Sequence, residues 1–191
     1  RKFTHKLRKE SDAIMVGIGT VVKDNPRLTV RDSRDKPRNH QPLRIIIDSS
    51  GKLSPNTLLL HEPGKTLVVT ATISKNRHSL LNNLGVEVLV IPGENKRVNL
   101  VLLMEELGKR GISNILLEGG GILLSSMIQR QLIDKIVAFV APIIIGGENS
   151  PTPVEGRSVI KLIQATKLEK ITTKKLGEDF LIMGYPSKRF I

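Results

Sequence analysis

The sequence predicts an α/β fold: a central, mostly parallel sheet with helices on both faces and an antiparallel C-terminal edge, in a single domain spanning residues 1–191. Three observations predict it. Between Leu43 and Gln131, short apolar runs alternate with stretches of helical period. Those runs are apolar almost throughout rather than at every second residue, as in strands buried on both faces. After Gln131, three strand-like runs follow with no helix between them, which fits antiparallel pairing at an edge of the same sheet.

The elements follow in order. Residues 3–10 read as a helix with Phe3 and Leu7 on one face. Residues 12–18 (DAIMVGI) read as a buried strand ending in glycine, and residues 20–22 open a short helix that Asn25-Pro26 stops. Residues 31–42 are polar, contain two prolines and read as a surface loop. Residues 43–48 (LRIIID) form a strand before the turn Ser49-Ser50-Gly51, and residues 66–70 form another. A helix over 75–84 ends at Gly85. A strand over 86–91 precedes a helix over 100–109, where Leu100, Leu103, Met104 and Leu107 are spaced for one apolar face. Residues 115–117 form a strand that runs into Gly119-Gly120-Gly121 and a helix to about Gln131. Residues 135–140, 168–173 and 180–183 are the tail strands.

Composition bounds the function. The chain has 191 residues and no cysteine, which excludes a disulfide scaffold, a thiolate metal site and a cysteine nucleophile. The histidines His5, His40, His61 and His78 are scattered, with no metal-ligand spacing, so no metal is expected. The longest apolar run, 136–145, is interrupted by Pro142 and is too short for a bilayer. With a charged start and no signal-peptide pattern, the expectation is a cytoplasmic protein without a membrane partner. Net charge is +12, and residues 1–44 carry twelve Lys/Arg against five Asp/Glu. That excess suits an anionic small molecule or nucleic acid. Only five aromatic residues offer stacking platforms, and no nucleic-acid motif is present, which favours the small molecule.

Three segments carry chemistry. In Leu116-Leu117-Glu118-Gly119-Gly120-Gly121 a strand passes through a carboxylate and glycines into a helix, an arrangement that lets a phosphate approach backbone amides. Alone, it also fits a tight strand–helix turn, and it is neither a phosphate-binding Walker loop nor the six-residue dinucleotide fingerprint. The second segment, residues 17–26 (GIGTVVKDNP), again ends a strand in glycine. There Thr20 can cap the turn or meet a phosphate, and Asp24 can bind a ribose hydroxyl or organise the turn. Arg8, Arg27 and Arg31 flank it as bidentate phosphate clamps or as a solvated basic face. The third, residues 146–153 (GGENSPTP), reads as a structural loop or a lid.

SDAIMVGIGTVVKDNPRLTVR, LRIIIDSSGKLSP, ILLEGGG and VAPIIIGGENSPTPVEG, in that order, resemble the riboflavin-biosynthesis reductases, which share a dihydrofolate-reductase-like fold. The likeness covers nearly the whole chain. It is strongest to the stand-alone archaeal and fungal branch, where reduction precedes deamination. The resemblance implies NADPH as cofactor, held by Thr20, Asp24, Ser49, Gly119, Gly120, Gly121, Ile122, Leu123, Leu124, Ser125 and Ser126. It implies that Arg8, Leu28, Arg31 and Glu118 face the substrate, a phosphorylated pyrimidine, with the arginines suited to its 5′-phosphate and Glu118 orienting rather than donating a proton. The implied reaction moves a hydride to C1′ of the ribosylamino group of 2,5-diamino-6-ribosylamino-4(3H)-pyrimidinone 5′-phosphate, or of its deaminated form. A homodimer is implied too, with the tail strands and the loop around Pro151 and Pro153 as interface candidates. Family members usually open with a strand carrying a Ser/Thr-x-Asp-Gly-Lys-like stretch before the first helix. Arg1 falls inside or just before that helix, so the resemblance expects one more strand upstream. A reductase of another pterin or pyrimidine on the same fold, and a basic nucleic-acid-binding protein, are the alternative readings.

Overall fold

The computed structural model describes residues 2–147, 150, 152–156 and 162–187. Its first compact unit runs from Arg1 to Leu123 and its second from Leu124 to Ile191.

In the first unit, α1 (Lys2–Lys9) leads into β1 (Ala13–Gly17), α2 (Ile18–Asp24), β2 (Leu43–Ile47), β3 (Thr66–Thr70), α3 (Lys75–Asn83), β4 (Glu87–Val90), α4 (Leu100–Lys109) and β5 (Ile115–Leu117). The strands form one parallel sheet in the order β4-β3-β2-β1-β5. The apolar runs fold this way because both their faces are covered. Ala13, Ile14, Met15 and Val16 of β1 are fully buried, as are Ile45 and Ile46 of β2 and Leu67, Val68 and Val69 of β3. Each of the Val, Leu, Ile and Met side chains among them contributes about 1.5–3 kcal/mol on burial. Leu100, Leu103 and Leu107 are the buried stripe of α4, as their spacing requires. Side-chain caps start two helices. The Ser74 hydroxyl accepts from Arg77 N at α3, and the Asn99 carboxamide accepts from Val101 N and Leu102 N at α4.

Strand order decides where a ligand can sit. From β1 the chain moves outward to β4, then returns through α4 to place β5 on the far side of β1. Right-handed crossovers put the outward connections on one face and α4 on the other. The reversal falls between β1 and β5, and ligands of open α/β sheets bind at the carboxyl ends of such strands.

α5 (Gly121–Gln129) carries the chain from the first unit into the second. There β6 (Ile136–Val140), β7 (Leu168–Leu176) and β8 (Asp179–Pro186) form an antiparallel sheet in the order β6-β8-β7. The tail strands are therefore antiparallel, as their sequence suggests. Among the described residues, however, they pair with one another rather than extending the edge of the parallel sheet. The two-residue turn Gly177-Glu178 explains this, because it folds β7 onto β8 locally. In the loop over 146–153, residues Glu148, Asn149 and Pro151 lie outside the described residues. No helix among the described residues is long and apolar enough to cross a membrane.

Candidate active site

The glycine turn and Thr20 meet at the carboxyl ends of β5 and β1. Gly119 and Gly120 follow β5 with φ of +64° and +77°, in the left-handed region that disfavours a side chain. A Cβ on Gly119 would lie 3.2 Å from Thr20 Cγ2, and one on Gly120 would lie 3.0 Å from Thr20 Oγ1. The glycines are thus demanded twice, by conformation and by the close approach of Thr20. α5 starts at Gly121 with no acidic residue in its first turn, which suits an anion at its free amides. Ile122 and Leu123 continue that first turn, and Leu123 packs 3.7 Å from the Cβ position of Gly17. Leu124, Ser125 and Ser126 follow on the same helix, where the Ser125 hydroxyl accepts from Gln129 Nε2 at 3.3 Å.

Asp24 is exposed at the last turn of α2, where Asn25 caps the helix in the left-handed conformation. Ser49 stands just past the carboxyl end of β2, and its hydroxyl accepts from Val98 N at 3.2 Å. Ser49 lies at the sheet edge that carries the glycine turn, because all five strands are parallel.

Beside the turn lies a cleft of about 320 Å³ whose walls include Arg8, Arg27, Leu28 and Arg31. Three of these, Arg8, Leu28 and Arg31, are residues that the family resemblance assigns to the substrate. The fourth such residue, Glu118, joins them through Arg8. Arg8 Nε and Nη2 donate to the two Glu118 carboxylate oxygens at 2.7 Å each, and Arg8 Nη1 donates to the Thr29 carbonyl at 3.0 Å. Both side chains of the pair are mostly buried, at 16% and 20% exposure. Such a two-point pair fixes geometry as well as charge.

The strand-like segment after α2 is bent to form the cleft. Asn25 and Leu28 both adopt positive φ, at 40° and 51°, the latter a sterically costly state for a leucine. Surrounding bonds hold the bend. Asn25 Oδ1 accepts from Leu58 N, the Gln41 carboxamide exchanges two bonds with the backbone of Val30, and His5 Nδ1 accepts from Arg31 N at 3.4 Å. Left-handed non-glycine residues of this kind persist only where the surrounding structure holds them.

Sequence reasoning missed Glu62. Its carboxylate accepts from Arg31 Nη2 at 3.3 Å through both oxygens and also from Arg27 Nη1. No local pattern announces it, since its partners lie 31 and 35 residues away. Arg44 braces the Glu62 loop from below. Its Nη2 donates to the carbonyls of Glu62 at 3.1 Å and Gly64 at 2.6 Å, and its Nε to Thr66 Oγ1. Burial pulls the pKa of Arg44 down from the usual arginine value, with the nearby Glu62 charge opposing. Asp48, fully buried after β2, also escaped notice; its Oδ2 accepts from Leu53 N at 2.7 Å and holds the following turn. Among the described residues no cluster of His, Asp and Glu is arranged to hold a metal ion.

The sequence profile of the RibD C-terminal domain matches residues 1–182. The chain belongs to the RibD C-terminal domain family. A relative from Archaeoglobus fulgidus, named 2,5-diamino-6-ribosylamino-4(3H)-pyrimidinone 5′-phosphate reductase, is 38% identical over 187 residues, covering 95% of this chain and 82% of its own. The riboflavin biosynthesis protein RibD of Actinobacillus pleuropneumoniae is 35% identical over 95% of this chain, which spans about half (48%) of that protein. Among solved structures, Acinetobacter baumannii RibD superposes with a TM-score of 0.81 at 25% identity, covering 98% of this chain and 50% of the other. Curated relatives in the family are thus reductases and RibD proteins of riboflavin biosynthesis, and the α/β fold is shared with RibD.

Proposed function

We propose that this chain is an NADPH-dependent reductase of riboflavin biosynthesis, converting a phosphorylated ribosylaminopyrimidine into its ribitylamino counterpart. One observation carries the reading. Arg8, which lines the cleft, holds Glu118 through both carboxylate oxygens, and the next two residues form the glycine turn against Thr20. A nucleotide cradle and an anion-binding cleft therefore share a wall, as transfer between a cofactor and a phosphorylated substrate requires. The name of the Archaeoglobus relative supports the diamino form of the substrate.

The bare backbone of Gly119 and Gly120, leading into the free amides at the start of α5, suits a dinucleotide phosphate. Thr20, Asp24, Ser49 and the turn over 119–121, with Ile122 and Leu123, are among the residues the resemblance assigns to NADPH. When bound, NADPH supplies the hydride that converts C1′ of the ribosylamino group to a ribityl carbon. Arg8 holds the Glu118 carboxylate in place through two bonds, while Leu28 shields the cleft from water. The positive charge of the arginines draws in the 5′-phosphate. The family resemblance further supports a homodimer in the cytoplasm, which light scattering on the purified chain tests.

The test is turnover. The chain mixed with NADPH and the diaminopyrimidine phosphate should consume NADPH and yield the ribitylamino product, faster than with NADH. No consumption with either the diamino or the deaminated substrate would remove the reading.

A further inference from the structure

We propose that Arg77 is a positioning residue for the cofactor: reaching from α3, it fixes the turn over 49–53 so that Ser49 meets NADPH in a preset geometry. The inference rests on the reductase reading above and deepens its cofactor site. The turn belongs to no helix or strand, yet it is held from two elements at once. Arg77 Nε donates to the Gly51 carbonyl at 3.1 Å, and its Nη2 donates to the Leu53 carbonyl. From the end of β2, Asp48 Oδ2 accepts from Leu53 N at 2.7 Å. Leu53 is thus gripped through both of its backbone groups, by a carboxylate and by a guanidinium. Gly51 N donates to the Asp48 carbonyl at 3.1 Å and closes the turn. A planar fork suits the two carbonyls, because it meets both from one side chain.

Ser49 is anchored by its backbone and its side chain together. Its carbonyl accepts from Ala71 N at 3.2 Å and from Thr72 N at 3.4 Å, just past β3, and its hydroxyl accepts from Val98 N at 3.2 Å. Accepting that bond leaves the hydroxyl's own proton to donate to a cofactor oxygen. The turn has little room to shift. Gly51 is buried at φ of +65°, and a Cβ there would lie 3.1 Å from Ile73 Cγ1. Arg77 is itself placed by the cap of α3, where the Ser74 hydroxyl accepts from its amide at 3.3 Å. A binding group is only as precise as the shell that locks it, and here Arg77 supplies two bonds of that shell.

The experiment measures KM for NADPH, KM for the phosphorylated pyrimidine and kcat in wild type, Arg77→Met, Arg77→Lys and Gly51→Ala. Arg77→Met should raise KM for NADPH about fivefold or more and leave KM for the pyrimidine and kcat within about twofold, the pattern of lost uniform binding. Arg77→Lys keeps a donor and loses the fork, so it should recover part of that rise. Gly51→Ala moves the turn against Ile73 without touching Arg77 and should reproduce the split between the two KM values. A second measurement needs no turnover: titrated by thermal shift, the apparent Kd for NADPH should rise in Arg77→Met by the same factor as KM. An unchanged Kd and KM for NADPH, with only the melting temperature lowered, would overturn the positioning role and leave the reductase standing. A parallel rise in both KM values would overturn it as well, because it marks a general loosening of the chain. A wild type that binds no NADPH would remove the reductase reading, and this inference with it.

Discussion

Arg8 donates through Nε and Nη2 to the two carboxylate oxygens of Glu118, across 110 residues of sequence and at 2.7 Å each. The pair staples α1 to the end of β5, where the glycine turn begins. Lysine cannot reproduce the fork. Arg8→Lys should cost about 2 kcal/mol of stability and lower kcat/KM for the phosphorylated substrate by more than tenfold. A double-mutant cycle with Glu118→Gln, read by thermal unfolding and by kinetics, should show that the two substitutions are far from additive.

Gly120→Ala places a Cβ 3.0 Å from Thr20 Oγ1 at a φ of +77°. It should destabilise the chain by about 1–2 kcal/mol. NADPH binding should weaken by roughly tenfold or more, because the backbone approach is blocked. Adding Thr20→Ala should recover part of the stability, since it removes the hydroxyl that the new methyl meets. Titration of NADPH by thermal shift checks both.

Arg44→Met should raise KM for the phosphorylated substrate and leave KM for NADPH within error. The buried guanidinium braces the carbonyls of Glu62 and Gly64, so its loss loosens the loop that carries Glu62. A stability loss of about 2 kcal/mol should accompany it, less than the three lost bonds suggest, because a buried cation goes with them. Steady-state kinetics in both substrates separates the two KM effects.

Asp12 gives the acid limb of the stability curve. Its Oδ2 accepts from Ser113 N, Ser113 Oγ and Asn114 N, all at 2.9 Å, and ties the start of β1 to the start of β5. The backbone amides of Ser113 and Asn114, then the Ser113 hydroxyl, hold its carboxyl below the usual value of 3.8. A group depressed on folding stabilises the protein above its unfolded value, and that contribution disappears as pH falls through the folded one. Wild type should therefore exceed Asp12→Asn in melting temperature at neutral pH, and the two should converge below pH 3.8. Parallel melting curves across that window would refute the assignment.

Much of this was legible in the sequence, and for identifiable reasons. β1 to β3 announce themselves because their residues are apolar on both faces, and α4 because Leu100, Leu103 and Leu107 repeat at helical spacing. Gly119 and Gly120 stood out because a glycine run at a strand end has few structural uses, and Thr20 because it follows a second such end. Arg8, Leu28 and Arg31 line one cleft, and Glu118 reaches it through its bonds to Arg8. What stayed hidden depends on long-range pairing. Glu62 is an unremarked acid in a loop until folding brings Arg27 and Arg31 to it. Leu28 gives no hint of a left-handed backbone, since leucine disfavours it. The pairing of the tail strands among themselves follows from the Gly177-Glu178 turn, which no hydrophobic period records.

The most direct test of the account follows the hydride. NADPH carrying deuterium at the transferred C4 position is incubated with the chain and the diaminopyrimidine phosphate, and the product is read by mass spectrometry and NMR. The account predicts one deuterium at C1′ of the ribitylamino chain, with NADPH consumed in equal amount. NADPH left unconsumed, or a product with no label at C1′, would contradict it.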